Sequence, residues 1–163
     1  MAQPKLNVTS VVLNAPDARE LAGFYQRLLG WQIRSDEPEW VALANPDGGV
    51  GLAFQLEDAY IRPTWPADSD HQQMMMHLDI EVEDLEDAGA HAVSVGAVLA
   101  EHQPQSDVRV YYDPAGHPFC LWTPSRSSRE VLDAHCLDLA VGVEVADREP
   151  PGRGGRFRRQ GLG

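Results

Sequence analysis

The chain has 163 residues, of which 43% are hydrophobic, enough to bury the core of one ordinary globular domain. No run of 18 apolar residues occurs, so the sequence predicts no membrane span, and the first five residues lead into no apolar signal segment. Residues 1–125 carry 6 Lys and Arg against 19 Asp and Glu, a net charge of −13, which disfavours nucleic acid and anionic lipid as partners.

The first part of the chain predicts a strand, a helix and three further strands. Val8–Asn14 alternates between two usable faces. Asp17 with Glu20 resembles a capping box that opens a helix, and Gly30 supplies the C-terminal stop. The strands that follow are predicted over Trp31–Ser35, Trp40–Asn45 and Val50–Leu56.

The same order of elements returns after a connector, residues 57–75. Met76–Val82 alternates as a strand, and Asp84 opens a helix that runs to Val95 and stops at Gly96. The next three strands are predicted over Val98–His102, Val108–Tyr112 and Pro118–Thr123.

The spacing between the two parts indicates an internal duplication. Ser10 and His77 are 67 residues apart, and so are Asp17 and Asp84. A period this long, kept over equivalent positions, is typical of a repeated supersecondary unit. We therefore predict one domain over residues 1–125, with module one at 6–56, the connector at 57–75 and module two at 76–124.

Residues 126–163 are predicted to be a partly disordered C-terminal extension. Glu130–Val145 fits either a helix or an added strand. From Glu149 onward Pro, Gly and Arg dominate, a composition that does not build a packed core. The two cysteines, Cys120 and Cys136, form no CxxC, which favours a reduced cytoplasmic protein with free thiols, although one disulfide stays open as the alternative.

Three motifs carry a resemblance to a known family. Their sequences are Asn14-Ala15-Pro16-Asp17 with Phe24-Tyr25 and Leu29-Gly30-Trp31, then His77-Leu78-Asp79-Ile80-Glu81-Val82-Glu83-Asp84, then Asp113-Pro114-Ala115-Gly116-His117-Pro118-Phe119-Cys120-Leu121. In this order they resemble the vicinal oxygen chelate superfamily (glyoxalase I, bleomycin-resistance proteins, extradiol dioxygenases and fosfomycin-resistance enzymes), with strongest similarity to small bacterial glyoxalase-like domains. The resemblance implies an α+β fold in which two βαβββ modules form cupped mixed sheets, with helices outside and the ligand in the cup.

The resemblance also implies where a metal ion would bind. Metal-using members place ligands at positions that correspond here to Ser10, Gln55, His77 and Cys120. Only His77 is a usual ligand at its position, and one imidazole with one amide holds a hard divalent ion weakly. We therefore expect no metal cofactor, with a divalent metal as the alternative.

Aromatic and polar residues on the predicted cup faces indicate a ligand site. Such a lining suits a flat or amphipathic organic molecule, and Trp65, flanked by prolines in the connector, is interpreted as part of a lid. The predicted ligand-binding residues are Ser10, Trp40, Gln55, Tyr60, Trp65, His77, Asp79, Arg109, Cys120 and Trp122.

These features favour a small-molecule-binding protein that sequesters its ligand, similar to bleomycin-resistance proteins. The alternative is a glyoxalase-like lyase or isomerase, either metal-dependent or using His77 as a general base. A small molecule is the expected partner, and a homodimer is plausible because proteins of this fold often pair.

Overall fold

The structure is a computed structural model that describes residues 4–68 and 70–124. These residues lie in one compact unit, Met1–Ser125. The predictions for the C-terminal extension, including Glu130–Val145 and Cys136, lie outside the described residues. Within the described part of the chain, neither helix is both long and apolar enough to span a membrane.

Module one forms a four-stranded mixed sheet with one helix. The strand order is β1-β4-β3-β2, in which β1 runs parallel to β4 and the other neighbours are antiparallel. The elements are β1 (Ser10–Ala15), α1 (Ala18–Leu29), β2 (Gln32–Glu37), β3 (Trp40–Ala44) and β4 (Gly51–Leu56).

Module two repeats this topology. Its strand order is β5-β8-β7-β6, again with the first and last strands parallel. The elements are β5 (Leu78–Glu81), α2 (Leu85–Ser94), β6 (Val98–Leu99), β7 (Val108–Tyr112) and β8 (Pro118–Trp122). The predicted α+β fold of two βαβββ modules is therefore confirmed.

Three strands of module two are shorter than predicted, β8 by the single residue Thr123 and β5 and β6 by more. The strand predicted over Met76–Val82 begins only at Leu78, because the next position of its neighbour is Pro118, which has no N–H for the ladder. The strand predicted over Val98–His102 ends at Leu99. Beyond that point Ala100 still donates to the Val110 carbonyl at 2.9 Å, and the Gln103 side-chain amide accepts the N–H of Val110 and donates to its carbonyl, both at 3.0 Å.

The helix starts follow the predicted capping residues. The Asp17 carboxylate accepts the backbone N–H groups of Arg19 and Glu20, both at 2.9 Å, and Asp84 accepts those of Glu86 and Asp87 in the same way. Each such cap contributes about 1 kcal/mol to stability. Gly30 ends α1 with φ 70°, a left-handed conformation that glycine adopts without strain.

The core spans both modules. Tyr25 of α1 packs against Phe54 of its own sheet, and both Phe24 and Tyr25 pack against Phe119 of the other sheet. The Tyr25 and Phe54 rings stack with centroids 5.4 Å apart, and Phe24 lies 6.0 Å from Phe119. Phe54, Phe119 and Leu121 are fully buried, which confirms that they face the helices and leaves the opposite sheet faces for a site.

Candidate functional site

A cavity of about 440 Å³ lies on the face of the second sheet that points away from the core. The connector and the segment before β7 complete its walls. The lining residues are Trp65, Met74, His77, Asp79, Pro104, Gln105, Asp107, Val108, Val110, Pro118, Cys120, Trp122 and Thr123.

Strand register explains which side chains enter this cavity. Cys120 pairs with Asp79 on one side and with Val110 on the other, and directly paired residues point to the same face of a sheet. Trp122 lies two residues further along β8, so it shares that face. The intervening Leu121 is buried on the opposite face.

One end of the cavity is polar. His77 Nε2 lies 3.2 Å from Asp79 Oδ1, and the Cys120 thiol donates a hydrogen bond to the Asp79 carboxylate. Partial burial, and then the charge of Asp79, raise the pKa of Cys120 to about 11. At neutral pH Cys120 is therefore a neutral hydrogen-bond donor and not a nucleophilic thiolate.

Within residues 4–68 and 70–124, the same three side chains form a group that could hold a metal ion. Ligand atoms of His77, Asp79 and Cys120 all lie within 4.8 Å of one another. Imidazole, carboxylate and thiolate together suit tetrahedral Zn²⁺ better than a hard octahedral ion. Binding of a metal ion would displace the Cys120 proton. The three side chains would then supply three protein ligands and leave the fourth tetrahedral position open.

The connector holds Trp65 against this cavity. The Tyr112 hydroxyl donates to the Trp65 carbonyl at 2.5 Å, and the Trp65 ring lies 5.4 Å from the His102 ring. The guanidinium of Arg62 stacks over Tyr112, 5.5 Å from its ring centroid. Trp65 is therefore positioned by the second module, although it belongs to the connector.

The structure brings together half of the predicted ligand-binding residues. Trp65, His77, Asp79, Cys120 and Trp122 line this one cavity. Their convergence results from the β5–β8 and β8–β7 ladders and from the path of the connector.

The other predicted residues lie elsewhere. Trp40 and Gln55 pair across β3 and β4 and line a separate depression, while Ser10 pairs with Gly51 at the opposite end of β4. Tyr60 hydrogen-bonds to the turn before β8 and lines a different cavity. Thus Gln55 and its module-two equivalent, Cys120, line different cavities.

Arg109 is turned away from the cavity. It pairs with Leu121, so it lies on the sheet face opposite Cys120. Its guanidinium donates to the backbone carbonyls of Ser106 and Val108, at 3.0 and 2.9 Å. Arg109 therefore stabilises the backbone at the start of β7 through these hydrogen bonds.

Sequence reasoning missed several lining residues. Val108 and Val110 alternate with Arg109 along β7, so the strand period already indicated that they share a face. No local signal pointed to Met74 or Gln105, because irregular segments carry them to the cavity.

The fold defines a class of protein built from two βαβββ modules, each with a four-stranded mixed sheet. The profile of the family described as Glyoxalase-like domain matches residues 10–122, and the chain belongs to that family. The resemblance to the vicinal oxygen chelate superfamily is thereby confirmed. No curated protein matches the sequence significantly.

Solved structures share this fold at low sequence identity. A glyoxalase/bleomycin resistance protein/dioxygenase family enzyme from Burkholderia phytofirmans has a TM-score of 0.57 and 18% identity, covering 72% of this chain and 98% of that one. The antibiotic binding protein TnmS3 from Streptomyces has a TM-score of 0.52 and 18% identity over 76% and 100%. A lactoylglutathione lyase from Agrobacterium tumefaciens has a TM-score of 0.50 and 13% identity over 74% and 96%.

Proposed function

We propose that the cavity on the second sheet binds a small, flat or amphipathic organic molecule without a resident metal, and that the protein sequesters this ligand. The observation that carries the proposal is that two tryptophans, Trp65 and Trp122, line one cavity with the polar group of His77, Asp79 and Cys120 at one end. Its volume of about 440 Å³ falls in the range of small-molecule sites.

The polar end supports recognition of the ligand by hydrogen bonds. The side chains of His77 and Asp79 are 38% and 63% exposed, so both remain accessible to a bound molecule. The Cys120 thiol is neutral and engaged with Asp79, which leaves the cavity without a thiolate nucleophile at neutral pH. Such a site orients a ligand but does not attack it through Cys120.

The structural relatives include both a binding protein and an enzyme. TnmS3 is an antibiotic binding protein, which agrees with sequestration. The lactoylglutathione lyase supports an enzymatic alternative on the same fold. Because both likenesses lie below 25% identity, the choice depends on the chemistry of this cavity.

Tryptophan fluorescence tests the proposal, with a panel of aromatic antibiotics as probes. The chain has four tryptophans, of which Trp65 and Trp122 line the cavity and Trp40 lines another depression. We expect the ligand-induced change to fall in Trp65→Phe and Trp122→Phe, and Trp122→Ala to weaken binding about tenfold through lost stacking. Trp40→Phe is the matched control and should retain the response. A response that disappears only in the control would place the ligand elsewhere and contradict the proposal.

A metal-dependent lyase or isomerase is the second candidate, favoured by the convergence of His77, Asp79 and Cys120. A Zn²⁺ ion held there would polarise a substrate carbonyl. Elemental analysis of protein purified without chelator separates the two functions. Near-stoichiometric metal that is lost in His77→Ala, but kept in the control Glu81→Ala, would overturn the metal-free proposal.

A metal-free enzyme would use His77 as a general base. Chromatography of each bound compound after incubation tests this reaction directly. Recovery of the compound unchanged supports sequestration, and consumption that stops in His77→Ala supports the enzyme. The predicted homodimer and cytoplasmic location are further proposals, and light scattering of the full chain tests the first of them.

A further inference from the structure

A second cavity of about 370 Å³ lies under the connector, between β1 and the turn that precedes β8. Within the described residues it shares only Met74 with the first cavity. Most of its wall is apolar and comes from Val12, Ile61, Pro63, Met74, Met75 and Met76. Val12, Ile61, Met75 and Met76 are large apolar side chains left exposed to solvent.

A chain of hydrogen bonds ends at this cavity. The Asp113 side chain is completely buried, and its Oδ2 lies 2.9 Å from Nδ1 of His117. His117 Nε2 lies 3.1 Å from the Tyr60 hydroxyl, and both of these residues line the cavity. Asp113 also accepts the Tyr25 hydroxyl and two backbone N–H groups, so its oxygens act as acceptors throughout.

This arrangement sets the direction of the hydrogen bond between His117 and Asp113. Because Asp113 accepts, Nδ1 of His117 carries a proton, and Nε2 is the ring atom that faces the Tyr60 hydroxyl. Burial, followed by the charge of Asp113, raises the pKa of Tyr60 to about 12, so the phenol stays protonated. Its proton points to His117 or to the Ala115 carbonyl at 3.2 Å, and its oxygen can accept a hydrogen bond from a molecule in the cavity.

The remaining polar groups of the cavity also favour a hydrogen-bond donor with positive charge. Glu57 lines it, and its Oε1 is held in place by the Ala59 N–H at 3.1 Å. No Lys or Arg of the described residues lines it. Burial and the charge of Asp113 raise the pKa of Tyr60, and the charge of Arg62, which lies between two lining residues, lowers it by less. The Arg62 guanidinium stacks over the ring of Tyr112, which does not line the cavity.

We propose that this cavity is a second binding site, which takes a protonated amine carrying an apolar body. The ammonium group donates to the Tyr60 oxygen and to the Glu57 carboxylate. The apolar body packs against the methionines and Val12, where it covers side chains that are otherwise exposed.

Nuclear magnetic resonance of methionine methyl groups labelled with carbon-13 tests this site in the full chain. Besides Met1, the methionines are Met74, Met75 and Met76, and all three line the cavity. The probes are 2-phenylethylammonium, neutral 2-phenylethanol and anionic 3-phenylpropionate, which share the phenyl body. We expect saturable shifts of Met75 and Met76 that are strongest for the ammonium and weakest for the carboxylate.

Substitutions then separate the two polar contacts. Tyr60→Phe and Glu57→Gln should each weaken ammonium binding about tenfold, because each removes a charge-assisted hydrogen bond. Glu39→Gln removes a carboxylate outside the cavity and Trp122→Phe alters only the first cavity, so both should leave the affinity unchanged. Equal shifts with the ammonium and the carboxylate probes, shifts that survive both substitutions, or no shift with any probe would each overturn the proposal. The proposed function is read from Trp65 and Trp122, so either proposal can fail without the other.

Discussion

Cys120 shows how neighbouring side chains determine the chemistry of a residue. Its position in the chain is compatible with a nucleophile, a metal ligand or an inert thiol. In the folded protein it is partly buried beside Asp79, and both burial and the carboxylate disfavour the thiolate. Only a cation that displaced the proton would convert it into a ligand.

The alkylation rate of Cys120 should therefore depend on pH with a midpoint near 11, well above the ordinary value of 9.0. Because the folded state favours the protonated thiol, this stabilising contribution is present below about pH 9 and is lost as the pH rises through 11. Iodoacetamide kinetics in a Cys136→Ser background, which removes the other cysteine, measure the midpoint.

Asp79→Asn should lower this midpoint but leave it above the ordinary value, since burial remains the larger cause. Asp107→Asn removes another carboxylate that lines the same cavity and serves as the matched control. A midpoint near 9 in the folded wild-type protein would contradict the assignment.

The short helix α2 illustrates how one element is fitted to its sheet. Gly89 lies in the middle of this helix and is buried. A Cβ placed there would collide with the hydroxyl of Tyr111 on β7, whereas the nearest ring carbon lies at 3.4 Å, an ordinary contact distance. The glycine thus allows the helix to approach the sheet closely, at a cost in helix propensity.

Gly89→Ala should destabilise the protein by about 1 kcal/mol or more, because the collision outweighs the gain in helix propensity. In a Tyr111→Phe background the obstructing oxygen is gone, and the same substitution should become neutral or stabilising. Urea unfolding of the four proteins in this double-mutant cycle measures the coupling.

Gly23→Ala in α1 provides the comparison. Its added methyl group would meet only the end of the Arg27 side chain, at 3.2 Å, which can move aside. That variant should be more stable than the wild type by about 0.5–1 kcal/mol. A Gly89→Ala cost that Tyr111→Phe does not relieve would show that the contact is not the cause.

At the scale of the whole molecule, the duplicated modules share one core. Phe24 and Tyr25 belong to module one but pack against Phe119 of module two, and Tyr25 donates to Asp113 at 3.1 Å. Because these contacts are buried, neither module can lose its packing without exposing part of the other.

Phe24→Ala should therefore lower the stability of both modules together, by about 3–5 kcal/mol. Two single-tryptophan variants, one retaining Trp31 and the other Trp122, report on the modules separately during urea unfolding. Their midpoints should coincide and should shift equally on Phe24→Ala.

Ile33→Ala is the control, since Ile33 is 42% exposed and its truncation should change the stability little. Separate midpoints for Trp31 and Trp122 would show that the modules unfold independently. In that case the contacts of Phe24 and Tyr25 with Phe119 would not couple the two modules.

Much of the fold could be predicted from local signals. Asp17, Gly30 and Asp84 mark helix ends because capping depends on the chemistry of single residues and their immediate neighbours. The short β5 and β6 were harder to predict, because their ends depend on Pro118 and Gln103, which come from elsewhere in the fold.

The sequence by itself determined the duplication, the order of elements and the faces of the strands, since period and spacing are local properties. Only the tertiary structure decided which of those faces meet. It brings Trp65, His77 and Cys120 to one cavity, while Ser10 and Gln55 lie on the other sheet and Arg109 faces away. The physical reason is that alternation assigns a side chain to a face, whereas convergence depends on pairing register, on the path of the connector and on packing between modules.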